Sequence, residues 1–165
     1  MVDLSGYYYL DGVDLWQAYG LIIQLGSADF LRFPAAKPAI SHDWPDQNGI
    51  DVDLSKVYLQ ARTGTLQCVM VADSEAQFFQ KHQALLARLI QPGLRRLSIT
   101  AHGGRSYFVY YKECTTYQQL PGGKLNGLGD GGVLHSFGIT FTEANPTIDG
   151  KDTHIIADDG AFIIT

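Results

Sequence analysis

The chain has 165 residues, 45% of them hydrophobic and 12% aromatic, with 12 Lys and Arg set against 17 Asp and Glu for a net charge of −5. That is enough apolar material for the core of one domain. No apolar run approaches the roughly 18 residues of a membrane span, the N-terminus lacks the pattern of a signal peptide, and the acidic balance argues against a phosphate-holding surface.

In chain order, residues 7–10 and 16–25 are rich in aromatic and β-branched side chains and surround Asp11-Gly12, which predicts a first pair of strands joined by a hairpin turn. Residues 33–49 carry three prolines and an Asn-Gly pair, the signature of a long loop with at most a short extended piece. Short β runs follow at 57–61 and 65–71, separated by Arg62-Thr63-Gly64. Two more are expected at 97–101 and 106–116, joined by His102-Gly103-Gly104-Arg105. The glycine-rich stretch 121–132 reads as a mobile surface loop, 133–142 as a strand, and 153–165 as a hairpin around Asp158-Asp159-Gly160. The division expected is a β domain over 1–146 and a C-terminal β-hairpin extension of the same domain over 147–165.

Only residues 73–90 sustain a helical period. Phe78, His82, Leu85 and Leu89 fall on one side, flanked by Phe79, Leu86 and Ile90, so six apolar side chains are expected to meet a core. Asp73 or Ser74 supplies the N-terminal cap, and Gln91-Pro92-Gly93 ends the helix. The fold class is therefore mainly β (α+β): an antiparallel sandwich or barrel-like domain with one packed helix at about 73–91.

Motifs of chemistry are weak throughout. Gly127-Leu128-Gly129-Asp130-Gly131-Gly132 matches GxGxxG in letters, yet a loop precedes it and a strand follows, whereas a dinucleotide site needs a strand and then a helix N-terminus. His42, His82, His102, His135 and His154 form no metal-binding pair; His82 reads as a core histidine, and His42 and His102 as solvated polar residues. Cys68 and Cys114 lack CxxC partners and read as two buried free thiols. Asp43, Asp46, Asp51 and Asp53 would be the only acids of an enzyme, and turn chemistry already accounts for them. No catalytic residue, cofactor or metal ligand is assigned.

The order of DGVDLWQAYGLII, NGIDVDLSKVYLQAR, TLQCVMVADSEAQFFQKHQALLARLI and HSFGITFTEANP, over roughly residues 7–146, resembles the distal-tail (baseplate hub) and tail-tube family of siphophages and prophages. The resemblance implies a non-enzymatic virion structural protein, made in the bacterial cytoplasm and placed in the tail. It would assemble with itself as a hexameric ring around a DNA-passage channel and meet other tail or baseplate proteins, without a membrane. Hub and tube subunits both fit. Ile155, Ile156, Phe162, Ile163 and Ile164 are the expected self-association residues, because two short apolar strands are marginal alone; the same hairpin would otherwise complete this subunit's own sheet. The alternative is a monomeric β-sandwich binding module for carbohydrate or peptide, using Tyr7, Tyr8, Tyr9, Trp16 and Trp44.

Overall fold

A computed structural model describes residues 4–115, 125–128 and 131–146, together with the backbone of two short strands at 155–156 and 162–163. Strands β1 (Tyr8–Leu10) and β2 (Val13–Asp14) close a hairpin over Asp11 and Gly12, both at positive φ. The second predicted strand does not follow at once. Leu15–Tyr19 is a short helix, α1, because the Asp14 carboxylate accepts the Gln17 N–H and Gly20 closes the other end in the left-handed region. The strand expected over 16–25 thus shrinks to β3 (Leu21–Leu25), which pairs with a later strand and not with β1.

Residues 31–61 form an arm. Its only regular pairing is β4 (Ser41–His42) with β5 (Asp51–Val52), plus an isolated bridge between Ala36 and Leu59, so the strand expected at 57–61 is absent. The chain re-enters the body as β6 (Arg62–Ala72). Gly64 lies inside that strand and makes no turn, because the Phe30 ring sits where a side chain would stand; a Cβ there would lie 2.8 Å from it. Helix α2 (Glu75–Leu89) follows, with the Ser74 hydroxyl accepting the Gln77 N–H and the Gln77 side chain accepting the Asp73 N–H. Then come β7 (Arg95–Ile99) and β8 (Arg105–Thr115). Within the glycine-rich stretch, Asn126–Leu128 is strand β9, paired to the start of β10 (Gly132–Glu143), so this part of the expected mobile loop is sheet; residues 121–124 and 129–130 lie outside the described residues. Strands β11 (Ile155–Ile156) and β12 (Phe162–Ile163) pair in a two-stranded sheet of their own.

The main sheet has eight antiparallel strands in the order β2-β1-β7-β8-β10-β6-β3, with β9 on β10. Strand β8 joins its two blocks: Arg105–Val109 pairs with β7, and from Val109 onward it pairs with β10. One core takes side chains from both blocks, Leu97, Ile99 and Val109 from one and Leu66, Met70, Phe137 and Ile139 from the other. The mainly β fold with one main helix is therefore as the sequence suggests.

Helix α2 meets that core with half of its apolar residues. Phe78, Leu85 and Leu89 are buried, whereas Phe79 is 54%, Leu86 42% and Ile90 63% exposed. The two rows are offset by about a quarter turn, and the sheet covers only the first. Leu85→Ala should therefore cost about 2–5 kcal/mol in urea unfolding, while Phe79→Ser should stay within about 0.5 kcal/mol of the parent. Equal losses from the two would contradict this division of the helix.

Candidate functional site

The arm carries a cluster of exposed apolar side chains. Phe33 is 94% exposed, and Ile40, Trp44, Ile50, Leu54 and Tyr58 are also open to solvent. Its base is fixed to the body: the Arg62 guanidinium donates to the Arg32 carbonyl at 2.6 Å and ion-pairs with the buried Glu143 carboxylate. Burial pushes the Glu143 carboxyl up, against the downward pull of Arg62. The same guanidinium lies over the Tyr107 ring, 5.7 Å from its centroid, and the Tyr107 hydroxyl is 2.8 Å from His102 Nδ1. His102 is thus tied into the fold and is not merely solvated; burial, then Arg105 and Arg62, lowers its pKa.

Of the five aromatics offered for a binding platform, Tyr7, Tyr8 and Trp16 come together with Leu4, Ile22 and Ile23 around an open cleft of about 260 Å³. Trp44 does not join them; it stands on the arm, stacked on His42 at 5.5 Å. Tyr9, one residue along β1 from Tyr8, does not line the cleft either. Asp43, Asp46, Asp51 and Asp53 are exposed on the arm, and among the described residues no three His, Cys, Asp or Glu side chains gather as a metal site. Asp53 accepts the Ser55 N–H, the turn role expected of it, which lowers its pKa.

Of the self-association residues, Ile155 pairs with Ile163 and Ile156 with Phe162 along the backbone. Ile164 lies outside the described residues. What sequence reasoning missed is the arm itself, the cleft, and the edge of β3, which among the described residues ends the sheet order with an uncharged LIIQL run.

Two cysteines expected to be buried differ. Cys68 is buried and burial pushes its thiol up to about 12, whereas Cys114 is exposed near the end of β8. Under helix α2, His135 is buried, 5.7 Å from the Phe78 ring and 6.1 Å from that of Phe137, and His82 stacks on Phe78 at 5.7 Å, the core role read for it. Burial, then the neighbouring His82, lowers the His135 pKa.

Among the described residues no helix is long and apolar enough to cross a membrane. The architecture is that of an antiparallel β domain with one main helix and a projecting arm. No family model and no curated protein matches the chain. Among solved structures it is similar to the Dit protein (gp 19.1) of phage SPP1, with a TM-score of 0.60 at 15% identity, over 85% of this chain and 50% of that one. That protein is described as a paradigm of the hub adsorption apparatus of phages that infect Gram-positive bacteria. At this identity the likeness is one of fold, and the chain spans about half the length of its neighbour.

Two outcomes follow from the burial. A maleimide should label Cys114 within minutes in the native protein and Cys68 only after unfolding; equal labelling of both would contradict the placement of Cys68. For His135 the unfolded chain binds more protons than the folded one at mildly acid pH, so stability is complete above a pH of about 6.5 and is lost as pH falls below it. Glu143, raised by burial, works in the opposite sense. Melting temperatures at pH about 7 and about 5.5 should differ less in His135→Phe than in the parent. An unchanged difference would remove His135 as its source.

Proposed function

We propose that this chain is a non-enzymatic structural subunit of a phage or prophage tail, of the distal-tail hub type, that assembles as a ring around a DNA-passage channel. The observation that carries the reading is the fold shared with the SPP1 hub protein over 85% of this chain. The physics agrees with it. The main sheet ends on the uncharged β3 edge, and an edge of that kind is a template for another chain. Contacts that join unlike surfaces run head to tail and close into rings when the rotation allows. The net charge of −5 would keep phosphate from adhering to a channel wall.

In this reading the ring is a hexamer, its neighbours are other tail or baseplate proteins, and its place is the virion tail. Residues 1–146 are the tail domain and 147–165 an extension of it, through which Ile155, Ile156, Phe162, Ile163 and Ile164 meet the next copy. A second reading, a binding module for carbohydrate or peptide, draws on the cleft of Tyr7, Tyr8 and Trp16.

Light scattering on a size-exclusion column, run over a wide concentration range beside a deletion of residues 153–165, tests the first reading. The full chain should give a closed ring and the deleted chain a folded monomer. A ring that survives the deletion would move the contact to the main sheet and the arm. A monomer at every concentration would remove ring assembly by the isolated chain.

A further inference from the structure

Beside the hairpin contact of the ring reading, two further features of the described chain match each other. The first is the arm. Between residues 38 and 55 it carries Asp43, Asp46, Asp51 and Asp53 and no Lys or Arg. None of these four carboxylates has an ion-pair partner among the described residues. Ile40, Trp44 and Ile50 on the same arm are exposed. A two-stranded excursion with this much open apolar surface is marginal by itself and marks an interaction element.

The second is the outward face of the β7 and β8 hairpin. Residues 76–112 hold six Lys and Arg and no Asp or Glu. Register fixes which of them share a face. Leu97, Ile99, Tyr107 and Val109 point into the core, so Arg96, Ser98, Ser106 and Phe108 point out, with Arg96 paired to Phe108 and Ser98 to Ser106. Tyr110 continues the row, and Phe108 and Tyr110 are 38% and 44% exposed. Arg96 donates its Nε–H to the Ser106 hydroxyl, which holds the guanidinium along the sheet. Asp11 takes Arg88 and Arg95, whereas Arg96 has no carboxylate within ion-pair distance among the described residues; Arg105, paired with Ile99, falls on the other side of the register with Tyr107. Lys112, two residues beyond Tyr110, has only the adjacent exposed Glu113 at 3.8 Å.

We propose that the acidic arm of one copy docks on the Arg96, Phe108 and Tyr110 face of the next copy. The inference rests on the reading of this chain as an assembling subunit and adds the pair of surfaces. Aspartates without cations then meet the Arg96 guanidinium, which has no carboxylate of its own, and exposed aliphatic and indole groups cover exposed aromatic rings. The arm of the same chain does not serve, since its apolar side chains lie open to solvent in a single copy. Donor and acceptor surfaces differ, so the contact is head to tail and repeats from copy to copy.

The test uses the full chain. Labelled (15N) and unlabelled copies are mixed, coupled with a carbodiimide that joins carboxylates to amines without a spacer, and read by peptide mass spectrometry. Links from Asp43 or Asp46 to Lys112 should join a labelled to an unlabelled peptide. Asp51→Lys with Asp53→Lys, which leaves both linking carboxylates in place, and separately Arg96→Glu, should each lower the yield of the inter-chain link from Asp43 or Asp46 to Lys112 by about tenfold or more. An equimolar mixture of the two reversed proteins should restore it, because each reversed arm then finds a reversed face. Links confined to one chain, or a mixture that restores nothing, would overturn the docking. A closed ring by mass with no arm-to-Lys112 link removes this docking and leaves ring assembly standing; the link without a closed ring keeps the docking and removes the ring.

Discussion

The rest of the structure depends on the pairing of β6 with β10, eleven residues against eleven from Arg62 with Glu143 to Ala72 with Val133. Its partners are 61 to 81 positions apart in sequence, so nothing local forms it, and the core it brings together must offset the entropy of closing that long loop. Its inner side supplies Leu66, Cys68 and Met70 from one strand and Phe137, Ile139 and Phe141 from the other. Helix α2, strand β3 and strand β8 all lie against or beside this ribbon. On its other side Thr65 and Thr140 join hydroxyls at 2.9 Å and Thr63 and Thr142 at 3.3 Å, which satisfies polar groups that the sheet partly covers.

The ribbon is closed at one end by Arg62 and Glu143. A buried pair of this kind adds little over an apolar pair of the same size, yet removal of one partner strands the other charge at a cost of about 3–5 kcal/mol. Here the pair also has a positional role. Arg62 reaches the Arg32 carbonyl, so the first residue of the longest pairing holds the root of the arm. Phe30 sits over Gly64, and the Asp29 carboxylate accepts the Thr65 N–H, which fixes the other side of the root. A fixed root beneath a chain segment whose large apolar side chains stand open to solvent is the arrangement of an element built to reach outward.

Much of the sheet was legible because its strands obey a period of two with one face buried. The 133–142 run alternates Val133, His135, Phe137, Ile139 and Phe141 inward, and β10 is longer than that run by one residue at each end. Helix α2 was legible from its period and its Ser74 cap, but the period alone does not say how wide a stripe the sheet will cover, and Phe79, Leu86 and Ile90 remained outside. Leu15–Tyr19 was not legible from residue type, since Leu, Trp and Tyr suit a strand as well; Asp14 and Gly20 decided it through hydrogen bonds. Gly64 read as a turn because glycine in a sequence is ambiguous between bend and close approach, and only Phe30, 34 positions earlier, resolves it.

The candidate surfaces were less legible, for a physical reason. A core residue is constrained by its own periodicity, whereas an interaction surface is constrained by another molecule whose pattern is not written beside it. Residues 33–49 looked like a loop by composition, and the pairing of Ser41 with Val52 and of Ala36 with Leu59 makes them an arm. The signal that was available is the segregation of charge: four Asp without a cation in residues 38–55, six Lys and Arg without an acid in residues 76–112. A chain folding only for itself gains from mixing the two signs on its surface, since like charges held together repel. Leaving four arm carboxylates and the Arg96 guanidinium without ion-pair partners has an electrostatic cost in the single copy. That cost is offset when the two surfaces meet, which is the condition that a subunit of an assembly satisfies and an isolated domain does not.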